Sequence, residues 1–476
     1  MRGFSFLLIL VSTLTAQYFP VVTFQELGPR GKQINVVFLA EGYRKSEMGK
    51  FSTDVRAAVN ALFAISPYKE YKSIFNVYGV ESESKGSGTD HPKTASDCPS
   101  NSEAFEADTY FNSTFDAGNI HRLLVIKSSS KAHSVLRSTI PDWDIGFVIV
   151  NHSMYGGSGG QWAVFSTHST APKIAIHEAG HAFANLGDEY DYGGSGHESP
   201  NTTAETDRTK IKWKNWIKGS TLIPTPETND YKDVIGLFEG AAYEANDWYR
   251  PKLNCMMKSL GYSFCEVCRE QTILKIYDLV NPYFSHYPYR NSLEISQAYL
   301  GLFEIDVRTI QPATIQVDWY MDTILVAENS DKFTIRGADL IAGIHNLTAI
   351  VSDTTSMIRT DPKDKRISNV RWKLDVGTTL SVDENMIVPG EIQLYPNYPN
   401  PFNPTTTISF YLPSAMPVII NVIDVNGRIV QSLVNELMAK GPHTVNWHAG
   451  YFSSGIYYFK LETLAGIKIQ KGILIK

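Results

Sequence analysis

The run His177-Glu178-Ala179-Gly180-His181 holds the residues best suited to chemistry. On a helix His177 and His181 lie one turn apart on the same face, so their imidazoles can grip one metal ion. Glu178, one step on, projects beside that ion towards a bound water. Zinc in such a site lowers the pKa of its water to ~7, and the glutamate takes the proton as the water attacks a carbonyl. The pattern assigns His177 and His181 as metal ligands and Glu178 as general base, then general acid. Two stray histidines on a helix would spell the same five residues, so the flanks decide.

On the N-terminal side Thr170 can cap, Pro172 suits a first turn, and Lys173-Ile174-Ala175-Ile176 starts an amphipathic helix. On the other side Asn185 tolerates the left-handed conformation that ends a helix, and Gly187 follows. A turn there swings the chain back under the metal. In metzincin proteases a glycine makes this turn and the third ligand follows three residues later; this chain has Ala184 at the glycine place. Sliding the turn to Asn185 makes Asp188 the third ligand, with Glu189 as its competitor and a pair of solvated carboxylates as the alternative. Downstream, Asn254-Cys255-Met256-Met257 resembles the Met-turn that lies beneath the zinc in metzincins. Either Met256 or Met257 could face the site, and a buried methionine is also ordinary core filler.

Further matching pieces are Gly88-Thr89-Asp90-His91-Pro92, Tyr110-Phe111 with Phe115, Tyr155 through Gly160, His177 through Tyr190, and Phe264-Cys265-Glu266-Val267-Cys268-Arg269. Together they resemble the bacterial IgA-peptidase metalloproteases, a metzincin-like group, over most of residues 30–275. The resemblance implies a zinc-dependent endopeptidase acting on proteins or peptides; it does not imply that immunoglobulin A is the substrate. Gly157, Gly159 and Gly160 would form a rim along which substrate backbone aligns, or else a flexible turn. A phosphate cradle is disfavoured, because no Gly-Lys-Ser/Thr follows. Tyr190 and Tyr262 are candidates to stabilise the oxyanion, with packing as the blander role. Asp90 and His91 match the pattern without an evident mechanism, and a turn before Pro92 would explain them. Calcium near the carboxylate-rich 188–198 stretch has no loop pattern behind it.

The elements that must hold this site read as α/β. Strand-like runs at 34–43, 74–80, 122–126 and 145–150, with a helix over 51–63, predict a mainly parallel sheet within one catalytic domain, 17–288. From there short alternating runs such as 313–319 and 343–351 predict a small β-sandwich over 289–388. The prolyl stretch 394–404 reads as a linker or an edge. Strands at 408–412, 418–425, 429–433 and 456–461, with an Asn426-Gly427 hairpin turn, predict a second sandwich over 389–476. Its pieces Asp424 through Arg428, His443 through Trp447, Ser454 through Tyr458 and the closing 471–476 resemble the C-terminal sorting domain of the bacterial type IX secretion system. That likeness implies passage through the periplasm and across the outer membrane, and the secretion machinery as a partner.

At 476 residues the chain is long enough for about three domains. Lys+Arg 43 against Asp+Glu 49 leaves −6 and no basic run, so nucleic acid is an unlikely partner. Met1 to Ala16 has the charged start, short apolar middle and small exit of a signal peptide, with Leu14 a poor fit near the cut; export to the surface or medium follows. No later run is long and apolar enough for a transmembrane span. Of Cys98, Cys255, Cys265 and Cys268, a bridge from Cys255 to one of the nearby pair is preferred, because a Cys-x-x-Cys metal motif lacks a second ligand pair close in sequence. A rival reading is a surface adhesin or glycan-binding protein on an inactive protease scaffold. The intact His-Glu-x-x-His speaks against it.

Overall fold

The computed structural model describes residues 19–160, 162–288, 291–298, 302–378, 392–413, 416–425, 427–463 and 466–475. The expected signal peptide 1–16, Asn426 of the expected hairpin turn and the 388/389 boundary lie outside them. The chain forms two compact units. One runs to Phe284 and takes in Thr309–Ile315 and Ser352–Ser368; the other holds Ser285–Arg308, Gln316–Val351 and the chain from Asn369. Most of the regular structure is β, in several sheets.

Among the described residues to Arg250 the first unit has the strands β1 (Val21–Gln25), β2 (Ile34–Glu41), β3 (Phe75–Val80), β4 (Ser113–Thr114), β5 (Val125–Ile126), β6 (Ile145–Val150), β7 (Gly157–Ser158), β8 (Ala163–Ser166), β9 (Phe238–Ala241) and β10 (Glu244–Arg250). Its helices are α1 (Met48–Leu62), α2 (Ser129–Thr139), α3 (Ala171–Ala184) and α4 (Glu266–Leu279). Six strands make one sheet in the order β1-β3-β2-β6-β8-β7. The three inner pairings are parallel, and β1 and β7 run antiparallel at the two edges. Strands β2 and β6 are buried at every position, which is why their residues are almost unbroken apolar text. Alternation sends Val36, Phe38 and Ala40 into the core shared with α1, α3 and α4, and Val37 and Leu39 into the core shared with α2.

The expected strand at 122–126 meets this sheet only through an isolated parallel bridge of Leu123 with Gly157 in β7. It contributes β5, which pairs with β4 apart from the main ladder. The inner positions are already filled, with β3 flanked by β1 and β2 and with β6 flanked by β2 and β8, so Leu124 and Ile126 of this stretch pack with Phe111 and Phe115 into the core that the sheet shares with α2. The long segment between β3 and α2 is tied to the sheet by Glu41, fully buried at the end of β2. Its two carboxylate oxygens accept the Phe111 and Ser113 backbone N–H groups, each at 2.8 Å.

The described regular structure of the second unit is β apart from a single 3-10 turn at Gly337–Asp339. Three- and five-stranded sheets lie within 283–377, and three- and four-stranded sheets within 393–474. Trp319 and Trp372 stack at 5.6 Å in the former, and Trp447 anchors the core of the latter. The prolyl stretch packs as an edge. Tyr395 N–H donates to the Ser409 carbonyl, and Phe402 N–H to that of Ile473, with the Phe402 ring against Trp447.

The register between β2 and β6 is set by Asp144. Its carboxylate accepts the Asn35 N–H at 2.8 Å, its own N–H donates to the Asn35 carbonyl at 2.9 Å, and the Asn35 amide donates to the Asp142 carbonyl at 2.8 Å. Burial raises the Asp144 carboxyl to about 6, against the pull of the Asn35 N–H. A folded-state pKa above the unfolded one means that the folded protein holds the proton more tightly. The resulting stability is complete below about pH 4 and is lost as the pH climbs through about 6. Asp144→Asn is therefore expected to gain urea-unfolding midpoint relative to the parent protein as pH rises across that window; a difference independent of pH contradicts the assignment.

Candidate metal centre

Helix α3 begins against β8 and carries nine buried residues. Thr170 occupies the N-cap position, but its hydroxyl bonds the His168 ring at 2.9 Å and caps no helix N–H; Pro172 lies in the first turn. The helix stops where Asn185 turns left-handed, at φ 54° and ψ 31°, so that Asn185 N–H returns to the His181 carbonyl and Leu186 N–H to that of Gly180. The chain then doubles back beneath α3. Gly187 exchanges two hydrogen bonds with the Asn201 side chain, and Glu189 N–H donates to the Met257 carbonyl.

This path brings three side chains to a point. His177 Nε2 and His181 Nε2 are 3.1 Å apart, and Asp188 Oδ1 lies 3.2 Å from the first and 3.1 Å from the second. The outer ring nitrogens fix the tautomers: His177 Nδ1 faces the Met256 carbonyl at 3.0 Å and His181 Nδ1 the Leu186 carbonyl at 2.7 Å. A carbonyl oxygen accepts only, so both Nδ1 atoms carry hydrogen and both Nε2 lone pairs point inward. Asp188 Oδ1 is buried without a hydrogen-bond donor, facing those lone pairs. Three acceptor atoms converging in a protein interior are what a cation needs.

Glu178 stands at the rim of this cluster. Burial raises its carboxyl above the usual value. A Cβ on Gly159 would come within 1.9 Å of Glu178 Oε2 and 3.4 Å of the His181 ring, so the backbone there approaches as closely as glycine alone permits. Gly160 has φ 129° and open space around it. Gly157 departs from the rim expected of it. Its N–H already donates to the Arg122 carbonyl at 3.2 Å and is not available as a donor to a substrate strand.

Of the two methionines, Met257 faces the helix: a Cβ on Gly180 would lie 2.8 Å from its sulfur. Met256 contributes its carbonyl instead. Tyr190 lies along the His177 ring, 6.5 Å between centroids, with its hydroxyl 3.5 Å from that of Tyr243. Tyr262 is about half exposed and has no hydrogen bond to the cluster. The tyrosine that reaches it is Tyr243, whose hydroxyl donates to Asp188 Oδ2. Nothing in the local sequence marked Tyr243, 55 residues from its partner and held in the turn between β9 and β10 with φ 68°.

Glu189 turns away from the histidines. Its Oε1 accepts from Asn201 Nδ2 at 2.9 Å and lies 3.3 Å from Cys268 Sγ, and burial raises its carboxyl to about 8. The expected bridge from Cys255 is not formed: the Cys255 and Cys265 thiols stand 3.7 and 3.5 Å from that of Cys268, all buried and free. The second ligand pair that seemed missing near Cys265 and Cys268 is supplied in space by Cys255 and Glu189.

Residues 22–233 and 227–276 match the family described as IgA Peptidase M64, more than half of the chain. Residues 397–476 match the secretion system C-terminal sorting domain, which marks the protein for export. Nothing among curated proteins matches. Similar solved structures include latent PorU from Porphyromonas gingivalis, at 16% identity over 40% of this chain and 20% of that one, TM-score 0.18. Others are the glucan-utilisation protein SGBP-B of Bacteroides ovatus, at 12% over 41% and 46%, TM-score 0.15, and the fibronectin(III)-like modules of Clostridium thermocellum CbhA, at 13% over 40% and 92%, TM-score 0.14. The chain thus spans less than half the length of the first two.

Because the left-handed Asn185 turn delivers Asp188, its substitution separates backbone strain from side-chain loss. Asn185→Gly is expected to stay within a few tenths of a kcal/mol of the parent, whereas Asn185→Val loses about 1–2 kcal/mol in chemical denaturation. Equal stability of the two variants contradicts this.

Proposed function

The chain belongs to the IgA Peptidase M64 family, and on that premise we propose that it is an exported zinc endopeptidase in which His177, His181 and Asp188 hold one zinc ion and Glu178 is the general base. The observation that carries this reading is the triangle of inward-facing acceptors. Tetrahedral zinc with nitrogen and oxygen ligands at about 2.0 Å sets neighbouring ligand atoms about 3.3 Å apart, close to the edges of 3.1 and 3.2 Å. When bound, such an ion supplies Lewis acidity to water and to a peptide carbonyl.

The remaining work falls to the side chains. Glu178, whose proton affinity is raised by burial, receives a proton from the attacking water and returns it to the departing amine nitrogen. Tyr243 orients Asp188 through its hydroxyl hydrogen bond and so is a positioning residue. Tyr190, held beside the His177 ring and kept protonated by burial, would donate to the oxyanion by turning its hydroxyl away from Tyr243. Gly159 and Gly160, lacking side chains, let an extended peptide backbone lie across Glu178. A metzincin-like peptidase domain over 17–288, a sandwich over 289–388 and a type IX sorting domain over 389–476 complete the reading, with proteins or peptides as substrate.

Glu178→Gln is expected to lower cleavage of a broad peptide library by a factor of roughly 10²–10⁴ with zinc content unchanged; cleavage at the parental rate overturns the assignment. Gly159→Ala, which pushes the Glu178 carboxylate aside, should cost about 10–100-fold in rate with zinc likewise retained. An adhesin on an inert scaffold would leave the library uncut by the parent protein and unaffected by a chelator.

A further inference from the structure

A second cluster of ligand-type side chains lies in the long segment between β3 and α2, on residues separate from the centre above. His91 Nε2, Cys98 Sγ, Asp116 Oδ1 and His121 Nδ1 all lie within 4.8 Å of one another. Five of their separations are 3.4 Å for His91 to Asp116, 3.8 Å for His91 to Cys98, 3.4 Å for Cys98 to Asp116, 3.3 Å for Cys98 to His121 and 3.1 Å for His121 to Asp116. A tetrahedral ion with nitrogen or oxygen at about 2.0 Å and sulfur at about 2.3 Å needs edges of about 3.3 Å, or about 3.5 Å where sulfur takes part. We propose that these four residues form a structural zinc site, His91, Cys98, Asp116 and His121 supplying one ligand atom each.

The surroundings are those of ligands already aimed. His91 Nδ1 donates to the Glu103 carbonyl at 2.6 Å, leaving its Nε2 lone pair directed at the Asp116 carboxylate, an acceptor facing an acceptor. The side chains of His91 and Asp116 are fully buried and that of His121 is 16% exposed. Asp116 Oδ2 accepts the Thr94 N–H at 2.8 Å, and Asp97 accepts the His121 backbone N–H at 2.7 Å, so His91, Asp116 and His121 are each tied from outside the cluster. The donor set of two imidazoles, a thiol and a carboxylate is of zinc type, whereas calcium and magnesium require oxygen. All four donors are used, so no position remains open for water, and the site is a clip.

A clip is what this stretch of chain lacks otherwise. It is long, mostly irregular, and holds two short strands, β4 and β5, so closing it with a metal fixes backbone that no ladder fixes. The residues just past His121 then hold β7, the strand that leads into Gly159 and Gly160: the Arg122 carbonyl accepts Gly157 N–H, and the Leu124 carbonyl accepts the Ser158 hydroxyl at 2.5 Å. Asp90-His91-Pro92, which the catalytic reading left without a role, finds one here.

The test is zinc content per chain in full-length protein, with each site removed in turn. Cys98→Ser and His121→Ala should each lose one equivalent and His181→Ala a different one, so that Cys98→Ser combined with His181→Ala loses two. Unchanged zinc in both Cys98→Ser and His121→Ala overturns the proposal and leaves a hydrogen-bonded imidazole–carboxylate network. A measurement on the unaltered chain covers the case in which the variants fail to fold. Iodoacetamide labelling of Cys98, mapped by mass spectrometry, should rise more than about tenfold on chelation and fall again when zinc is restored. Labelling indifferent to chelator also overturns it.

Discussion

His177 Nδ1 against the Met256 carbonyl at 3.0 Å and His181 Nδ1 against the Leu186 carbonyl at 2.7 Å are the contacts on which the centre depends. Each forces its ring into one tautomer and one orientation, and so turns both Nε2 lone pairs onto the same point. Without them the imidazoles could rotate, or donate towards Asp188 and collapse into an ordinary hydrogen-bonded pair. With them, the buried Asp188 Oδ1 meets only acceptors. The arrangement is costly to hold empty and favourable to fill.

Both carbonyls come from places where the backbone is constrained. The Leu186 carbonyl exists there because α3 ends at a left-handed Asn185, which reverses the chain and returns Asp188 to the face it has just left. The Met256 carbonyl comes from the turn beside the buried Cys255, Cys265 and Cys268 thiols, with Met257 filling the gap opposite Gly180. Glu189, between Asp188 and that thiol group, is held by Asn201 and by the Met257 carbonyl. Rigidity at the proposed ligands thus descends from a helix cap on one side and a packed sulfur-rich core on the other.

What was legible in the sequence was local. His177 and His181 stand one turn apart in any helix, and Asn185 is a residue type that ends one, so the return of Asp188 to the two imidazoles followed from spacing. The buried strands β2 and β6 announced themselves by unbroken apolar text. What failed was decided by distant partners. Residues 122–126 have strand composition, but the neighbouring ladder positions were already taken, and nothing local says so. Glu189 is as good a ligand as Asp188 by type; only the position of Cys268 and Asn201 shows which way it faces. Tyr243 and Asn201 reach the centre across long sequence separations, through turns whose chemistry gives no hint of the destination. Cys255, Cys265 and Cys268 invited a disulfide on exported-protein grounds, while their shared pocket with Glu189 is a fact of packing.

The central claim is that three inward-facing acceptors hold one cation. Crystals of the full-length protein, measured with X-rays above and below the zinc edge, address it without reference to turnover. The account expects an anomalous peak about 2.0–2.1 Å from His177 Nε2, His181 Nε2 and Asp188 Oδ1 together. A map with no peak there, or a zinc bound through Glu189 in place of Asp188, would contradict it.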